Sequence, residues 1–115
     1  APPAVTTVAS HATPSLRSPD GLCELRILGP IELAGQFEWY ALSVQPGGAL
    51  ESDAHEPGSR EHLSVLSGSL SVTSAETSST LKAGDTARYA ADQPHAIRNT
   101  GRSAAQALLV VLHPN

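Results

Sequence analysis

Short apolar runs separated by turn residues fill the chain from residue 22 onward, and this pattern limits the fold more than any other feature. Several runs alternate apolar and polar residues, which is the period of a half-buried strand. Gly, Pro, Asp and Ser interrupt them roughly every eight to twelve residues, as in sandwiches and barrels. The candidate strands are LCELRIL, IELAG, FEWYALSV, EHLSVLSG, SLSVTS, the two halves of TLKAGDTARYA, HAIRNTG and AQALLVVL, with AETSS as a loop. No helical apolar stripe competes with them, so the sequence predicts an all-β fold.

The first 21 residues differ from the rest of the chain. APPAVTTVASHATPSLRSPDG is rich in Pro, Ala, Ser and Thr and shows neither a strand nor a helix period. Such a composition buries little apolar surface, so residues 1–21 are predicted to be a flexible interdomain linker with a solvated His11. Residues 22–115 then form one domain, because 115 residues are too few for two good cores. The chain starts at Ala1 and contains no methionine, so we expect a piece of a longer protein.

Composition excludes several functions for these residues. A net charge of -4 and an aromatic content of 3% argue against direct nucleic-acid binding, which needs clustered Lys and Arg and stacking side chains. No run of about 18 apolar residues could cross a bilayer, so no membrane partner is expected. Cys23 is the only cysteine, and the apolar strand around it favours a packed side chain. A lone cysteine fits a reducing, cytoplasmic compartment.

Polar residues on the inner faces of two predicted strands mark a candidate site. Glu61 has the same parity as the apolar residues of EHLSVLSG, so its carboxylate is expected to point inward and His62 outward. His95 lies on the inner face of HAIRN, and His55 lies at the edge of the first strand. Two imidazoles and a carboxylate are a ligand set for a divalent metal such as Zn, Fe, Mn or Ni. Two alternatives stay open: the three residues bind a metal, or Glu61 and His95 hydrogen-bond each other in a metal-free pocket.

The same alternation assigns the remaining candidates. Trp39 and Tyr40 point to opposite faces of their strand, so only one can line the barrel, and we place Tyr40 in the ligand-binding pocket. Arg98 alternates away from His95 and is expected outside. His113 is expected at a frayed chain end without a role. The serine-rich hairpin offers no Ser-His-Asp arrangement, so no catalytic residue is assigned.

Two segments also carry His, Glu and Gly at regular spacing. HEPGSREHLSVLSG with its preceding glycine, and GDTARYAADQPHAIRN, resemble the cupin motifs G-x5-H-x-H-x3/4-E-x6-G and G-x5-P-x-G-x2-H-x3-N. The matching residues are Gly48 (one residue early), His55, Glu61, Gly68, Gly84, His95 and Asn99. Pro57 stands at the second motif histidine, and Ala90 and Asp92 replace the motif proline and glycine. The resemblance implies a cupin double-stranded β-helix, a small jelly-roll barrel, from residue 22 to about residue 112, with at most three metal ligands.

The sequence between residues 37 and 101 resembles one group of cupins in particular. FEWYALSVQPGGALESDAHEPGSREHLSVLSGSLSV followed by LKAGDTARYAADQPHAIRNTG is similar to the C-terminal sensor domain of bacterial regulators with an XRE-type helix-turn-helix. That resemblance implies an upstream DNA-binding domain, a small-molecule effector in the barrel and a homodimer, with DNA contacted only through the upstream domain. It favours a sensor over an enzyme. The alternative is a small metalloenzyme of the dioxygenase or isomerase kind that uses His55, Glu61 and His95.

Overall fold

A computed structural model of the protein describes residues 3–114, so Ala1, Pro2 and Asn115, the ends of the predicted linker and domain, lie outside the described residues. Within residues 3–114 there are ten strands and two short 3₁₀ turns, Ser10–Ala12 and Ile31–Leu33. The strands are β1 (Ser15–Arg17), β2 (Cys23–Ile27), β3 (Phe37–Val44), β4 (Ala49–Ser52), β5 (Arg60–Ser67), β6 (Ser69–Ser74), β7 (Thr77–Lys82), β8 (Thr86–Ala90), β9 (His95–Arg98) and β10 (Ala105–Leu112). No helix in this range has the length and apolar character to cross a membrane. The predicted all-β fold is confirmed.

Two antiparallel sheets enclose one apolar core. The larger sheet has the strand order β1-β2-β3-β10-β5-β8, and the smaller one has the order β4-β9-β6-β7. Because the chain changes sheet at every connection from β3 to β10 except that between β6 and β7, it winds around a single core, as in a small jelly-roll barrel. The larger buried side chains of that core are Leu42, Val44, Leu63, Val65, Leu70, Val72, Leu81, Tyr89, Ile97, Leu109 and Val111.

Alternation decides which side chains enter the core. Every second residue of β10 from Ala105 to Val111 is buried, and the same holds in β5 from Glu61 to Val65. The two strands pair in register, with Glu61 opposite Val111. A carboxylate therefore occupies a core position at one end of the barrel, where β3, β5 and β9 begin and β10 ends. We call this end the mouth.

One predicted strand is wrong. IELAG does not form a strand, since Ile31–Leu33 is a 3₁₀ turn closed by two backbone hydrogen bonds of 3.1 Å to carbonyls three residues earlier. Pro30 precedes the turn, fixes its own φ and lacks an amide donor for a ladder. Ile31 is 87% exposed, so no burial favours an extended conformation.

Two strands, β1 and β4, lie where the sequence pattern predicts no strand, and β7 begins three residues before the predicted one. β4 was not assigned, and β7 begins at Thr77, so the predicted AETSS loop holds only for Ala75 and Glu76. Ala75 sits in the left-handed region, with φ of 52°, at the turn between β6 and β7. β1 pairs with β2 inside the segment predicted as a linker, with Arg17 opposite Glu24. The prediction of an irregular linker therefore does not hold for residues 15–17. Strands β1 and β7 are mostly exposed and β4 has only four residues, so none of the three shows the alternation that reveals a buried face.

Leu63→Ala is expected to lower the free energy of unfolding by about 2 to 5 kcal/mol, because Leu63 is fully buried and its truncation leaves a cavity. Leu66→Ala on the same strand is the matched control, since Leu66 is 59% exposed and should change that free energy by about 0.5 kcal/mol or less. Denaturant unfolding followed by circular dichroism measures both variants. Equal losses for the two would contradict the assigned inner face of β5.

Candidate metal and ligand site at the mouth of the barrel

The Glu61 carboxylate is the centre of the mouth. It is 4% exposed, as predicted for an inward residue of β5, and both of its oxygens have partners. Oε1 accepts a hydrogen bond of 2.7 Å from the Tyr89 hydroxyl on the neighbouring strand β8. Oε2 lies 3.1 Å from Nε2 of His95 and 3.6 Å from Nε2 of His55. The three sequence-predicted residues therefore converge on one point.

The first residue of β9, His95, is held in a single orientation. Its side chain is buried, and its Nδ1 lies 2.8 Å from the carbonyl oxygen of Gln93. A carbonyl oxygen only accepts hydrogen bonds, so Nδ1 carries a proton and donates it to Gln93. Nε2 is then the nitrogen that faces Glu61. Nε2 of the neutral ring and the carboxylate oxygen of Glu61 both accept hydrogen bonds. A proton or a metal ion therefore has to lie between these two atoms.

His55 forms the open side of the site. It lies on the loop of residues 53–59 that joins β4 to β5, and its amide donates a hydrogen bond of 2.8 Å to the carbonyl of Ala91. Its ring centroid is 5.1 Å from that of His95. The His55 side chain is 39% exposed, whereas those of Glu61 and His95 are buried, so a ligand would approach from the side of His55.

The spacing of the three ligand atoms fits a divalent metal. One donor atom from each of His55, Glu61 and His95 lies within 4.8 Å of the other two. A metal with bonds of about 2.1 Å places neighbouring ligand atoms about 3.0 to 3.4 Å apart, for angles between octahedral and tetrahedral values. The two separations from Oε2 of Glu61, 3.1 and 3.6 Å, are close to this range, and the ligand atoms of the two histidines lie within 4.8 Å of each other, so metal binding would rest on an adjustment of the exposed His55. Three protein ligands on one side leave further coordination positions open.

Tyr89 belongs to the site, and the sequence analysis missed it. Its side chain is buried, and burial raises the pKa of its phenol, which the charge of Glu61 and the hydrogen bond to it raise further. The hydroxyl therefore remains a donor to Oε1 and leaves Oε2 for the two histidines. Its parity on β8, two residues from the inward Ala87, was the available signal.

Tyr40 lies on the inner face of β3, as predicted, and within residues 3–114 its hydroxyl makes no hydrogen bond to the three candidate ligands. It packs against the core, and its hydroxyl donates a hydrogen bond to Glu38. Burial raises the pKa of Tyr40, and Glu38 raises it further through this hydrogen bond and its charge. Trp39 faces the opposite side, where its ring lies 5.0 Å from that of Phe37. A contact between Tyr40 and a ligand stays a prediction.

His113 is not at a frayed end, so that prediction is wrong. Its Nε2 lies 2.5 Å from a Glu38 carboxylate oxygen, and its Nδ1 lies 2.8 Å from one of Glu56. Because both ring nitrogens face carboxylates, the ring donates from both as an imidazolium. The hydrogen bond to Glu38 is the main cause that raises the pKa of His113, with a smaller effect from Glu56. We call these three residues the His113 bridge. No sequence pattern indicates this bridge, since its three residues are far apart along the chain.

The other residues singled out from the sequence have structural positions. Asn99 is buried and donates hydrogen bonds to the carbonyls of Val44 and Ser103. Arg98 points outward, as predicted, and pairs with Glu51. Cys23 is buried, and that burial raises its pKa, which fits a packed thiol. His11 is exposed, as predicted, and His62 is half-buried outside the core.

Stability is expected to depend on pH through the His113 bridge. Because the pKa of His113 is higher in the folded than in the unfolded protein, the bridge stabilises the fold fully below about pH 6.5 and loses its effect as pH rises through the folded-state pKa. His113→Gln should therefore lower the melting temperature at about pH 6, and the gap to wild type should shrink at about pH 9. Thermal unfolding of both proteins across this range measures it, and a constant gap would contradict an ionic bridge.

The chain is similar to known proteins in sequence as well as in fold. Residues 41–111 match the Cupin_2 family, whose members share a cupin domain. The HTH-type transcriptional regulator SutR of Escherichia coli (strain K12) is 34% identical over 91 residues, which cover 78% of this chain and 51% of that protein. The chain thus spans about half the length of this curated relative.

Two crystal structures of other proteins have a fold similar to that of this chain. The Cupin_2 domain of an XRE family transcriptional regulator from Enterobacter cloacae is 29% identical, with a TM-score of 0.75 over 82% of this chain and 99% of that one. A predicted oxalate decarboxylase from Thermotoga maritima reaches a TM-score of 0.78 over 95% of this chain and all of that one, at 20% identity, and shows the fold alone. The chain belongs to the Cupin_2 family and resembles the cupin domains of XRE-type transcriptional regulators.

Proposed function

We propose that this cupin domain is the small-molecule-sensing part of a cytoplasmic bacterial transcriptional regulator. The observation that carries the proposal is the convergence of His55, Glu61 and His95 at a mouth that is open on the His55 side. Similarity to SutR and to an XRE-family cupin domain supports the regulatory context. DNA contact is assigned to an upstream helix-turn-helix domain, because this chain carries a net charge of -4.

A divalent metal is proposed as the partner of the three candidate ligands. When bound, it would supply a Lewis-acid centre for oxygen or nitrogen donors of an effector. The residues of the chain prepare this site: Gln93 fixes the ring of His95, and Tyr89 holds one oxygen of Glu61 so that the other faces the histidines. Such second contacts orient metal ligands in proteins generally.

Signal transfer would follow if a bound effector ordered the 53–59 loop at the mouth. The effector would contact His55 on the 53–59 loop, which is tied to the β8–β9 turn through the carbonyl of Ala91. A ligand shifts a conformational equilibrium only by its difference in affinity for the two states. The exposed loop is the part of the mouth whose order a ligand can change, because the neighbouring strands are already packed into the core.

Glu61→Gln is expected to abolish sensing without removing the fold, because it keeps the shape of the side chain and removes its charge. Zn²⁺, Fe²⁺, Mn²⁺ and Ni²⁺ are titrated separately into the purified domain, and we expect the affinity of the preferred metal to fall by at least about 100-fold. His62→Gln is the matched control, since His62 lies on the outer face of the same strand.

The same pair of variants tests regulation in the intact protein that carries this domain. The coding sequence upstream of Ala1 should encode a helix-turn-helix. Binding of the intact protein to selected genomic DNA fragments should change with metal or effector, and Glu61→Gln should remove that change while His62→Gln keeps it. A missing helix-turn-helix, or DNA binding that responds equally in both variants, would contradict the sensor proposal.

A small metalloenzyme is the second candidate, and the open coordination side at His55 is the observation that favours it. We propose no enzyme activity, because within residues 3–114 the site offers few acid-base groups besides the ligands and the bridged His113. The metal-loaded domain distinguishes the two candidates. Multiple-turnover oxygen uptake or isomerisation of an added metabolite, lost in Glu61→Gln, would favour the enzyme.

A homodimer is proposed through the outer face of β3 and β10. An antiparallel strand with one solvated face normally alternates apolar and polar residues, but β10 is apolar on both faces from residue 107 to residue 112. Its outer residues adjoin those of β3 in register, with Val110 opposite Trp39. The face comprises Phe37, Trp39, Leu108, Val110 and Leu112. A second copy with the same face would cover this surface and remove it from water.

Val110→Glu is expected to convert the dimer into a monomer, because it places a charge in the centre of this apolar face. Gln106→Glu is the control on the same face of the same strand, where the residue is already polar and exposed. Sedimentation velocity at several protein concentrations measures the mass of each variant. A monomeric wild type, or a dimer that survives Val110→Glu, would rule out this interface.

A further inference from the structure

We propose that His113 is a positioning residue for His55: the His113 bridge fixes the 53–59 loop to β3 and thereby holds the His55 imidazole beside the Glu61 carboxylate. The inference rests on the proposed metal site, since it assigns a role at that site to a residue outside the cupin motifs. It concerns how this chain supports its most exposed candidate ligand.

His55 is the least restrained of the three candidate ligands. Glu61 is held by Tyr89, and His95 is held by the carbonyl of Gln93. Within residues 3–114 no hydrogen bond reaches the ring of His55, and its Nε2 is 3.6 Å from Glu61, beyond ordinary hydrogen-bond distance. The loop that carries it is exposed from residue 53 to residue 58. The position of this ring therefore depends on what holds the loop.

One side of the loop is tied to the turn between β8 and β9. The amide of His55 donates to the carbonyl of Ala91, and the amide of Gly58 donates 2.8 Å to a carboxylate oxygen of Asp92. The amide of Ala91 in turn donates to the carbonyl of Ser59. These contacts fix the loop against β8 and β9, but they do not hold the side of the loop that faces β3.

The other side of the loop is held by the segment that follows β10. Glu56, the neighbour of His55, accepts the hydrogen bond from Nδ1 of His113, while Nε2 of the same ring donates to Glu38 of β3. Glu38 is fixed in turn by Tyr40. The two charge-assisted bonds on one planar ring set a direction as well as a distance.

Backbone contacts make this support stiff. The amide of His113 donates 2.9 Å to the carbonyl of Gln36, just before β3. Gly58 has a φ of +91°, and a Cβ placed there would lie only 3.2 Å from Cβ of Pro114. The residues after β10 thus lie directly against the loop, and the ring of His113 is 6.5 Å from that of His55. A displaced His113 would release the loop on this side.

Zn²⁺ affinity in a double-mutant comparison tests the proposal. His113→Gln is expected to lower the affinity about tenfold, as is usual when a contact that orients a ligand is lost. In a His55→Ala background the same substitution should leave the affinity unchanged, because the ligand that it positions is absent. Glu56→Gln should act like His113→Gln, and His62→Gln should have no effect. Competition with a chromophoric chelator measures the affinities, and circular dichroism verifies the fold of each variant.

Copper provides a spectroscopic test of the same point. In electron paramagnetic resonance of the Cu²⁺-loaded protein, the nitrogen couplings of wild type should report two imidazoles. His113→Gln should shift the spectrum toward that of His55→Ala. Equal fold-losses of Zn²⁺ affinity in both backgrounds, or unchanged affinity and spectrum in His113→Gln, would overturn the proposal.

Amide hydrogen exchange keeps the test independent of metal binding. His113→Gln should speed exchange of the His55 and Gly58 amides and leave the Leu63 amide of β5 unchanged. If wild type and Glu61→Gln bind metals equally weakly, the metal site itself fails, and the exchange data still decide the role of His113. Unchanged exchange at His55 would overturn the role of the bridge.

Discussion

The burial of the Glu61 carboxylate is the constraint on which the mouth of the barrel depends. An ionised carboxylate inside a small core is strongly unfavourable unless each oxygen has a partner. Tyr89 satisfies one oxygen, and the histidines face the other. These partners come from β8, from β9 and from the 53–59 loop. Because the buried carboxylate needs all of them, it holds these three parts of the chain in fixed relative positions.

Around this carboxylate the polar groups form two layers. The inner layer, Glu61 with Tyr89 and His95, is buried and fixed by hydrogen bonds of 2.7 to 3.1 Å. The outer layer is the His113 bridge, which is partly exposed. Exposed ion pairs contribute only modestly to stability, so the bridge adds a small, pH-dependent part of it and acts mainly by orienting a loop. The inner layer is thus a fixed part of the barrel, and the outer layer positions the loop at its opening.

Much of this architecture could be predicted from the sequence, for a physical reason. Alternation in EHLSVLSG reflects burial on one face, so the inward Glu61 followed directly from it. His95 followed from the inner face of HAIRN and His55 from its place at the edge of the first strand, and the cupin spacing pointed to the same two residues. Tyr89 was missed because β8 is short and only Ala87 marks its inner face, although a buried tyrosine hydroxyl usually has a hydrogen-bond partner. The His113 bridge was missed because its charges meet only after folding, and β1 was missed because an exposed edge strand needs no apolar face.

The pairing of β1 has a mechanical consequence for anything that precedes it. β1, β2 and β3 are consecutive hydrogen-bonded strands of one sheet, and β3 carries the Glu38 end of the His113 bridge. A segment entering through residues 15–17 is thus anchored to the sheet edge rather than loosely tethered. A force applied at that edge would be transmitted through the backbone hydrogen bonds between β1 and β2 and between β2 and β3 to the mouth of the barrel.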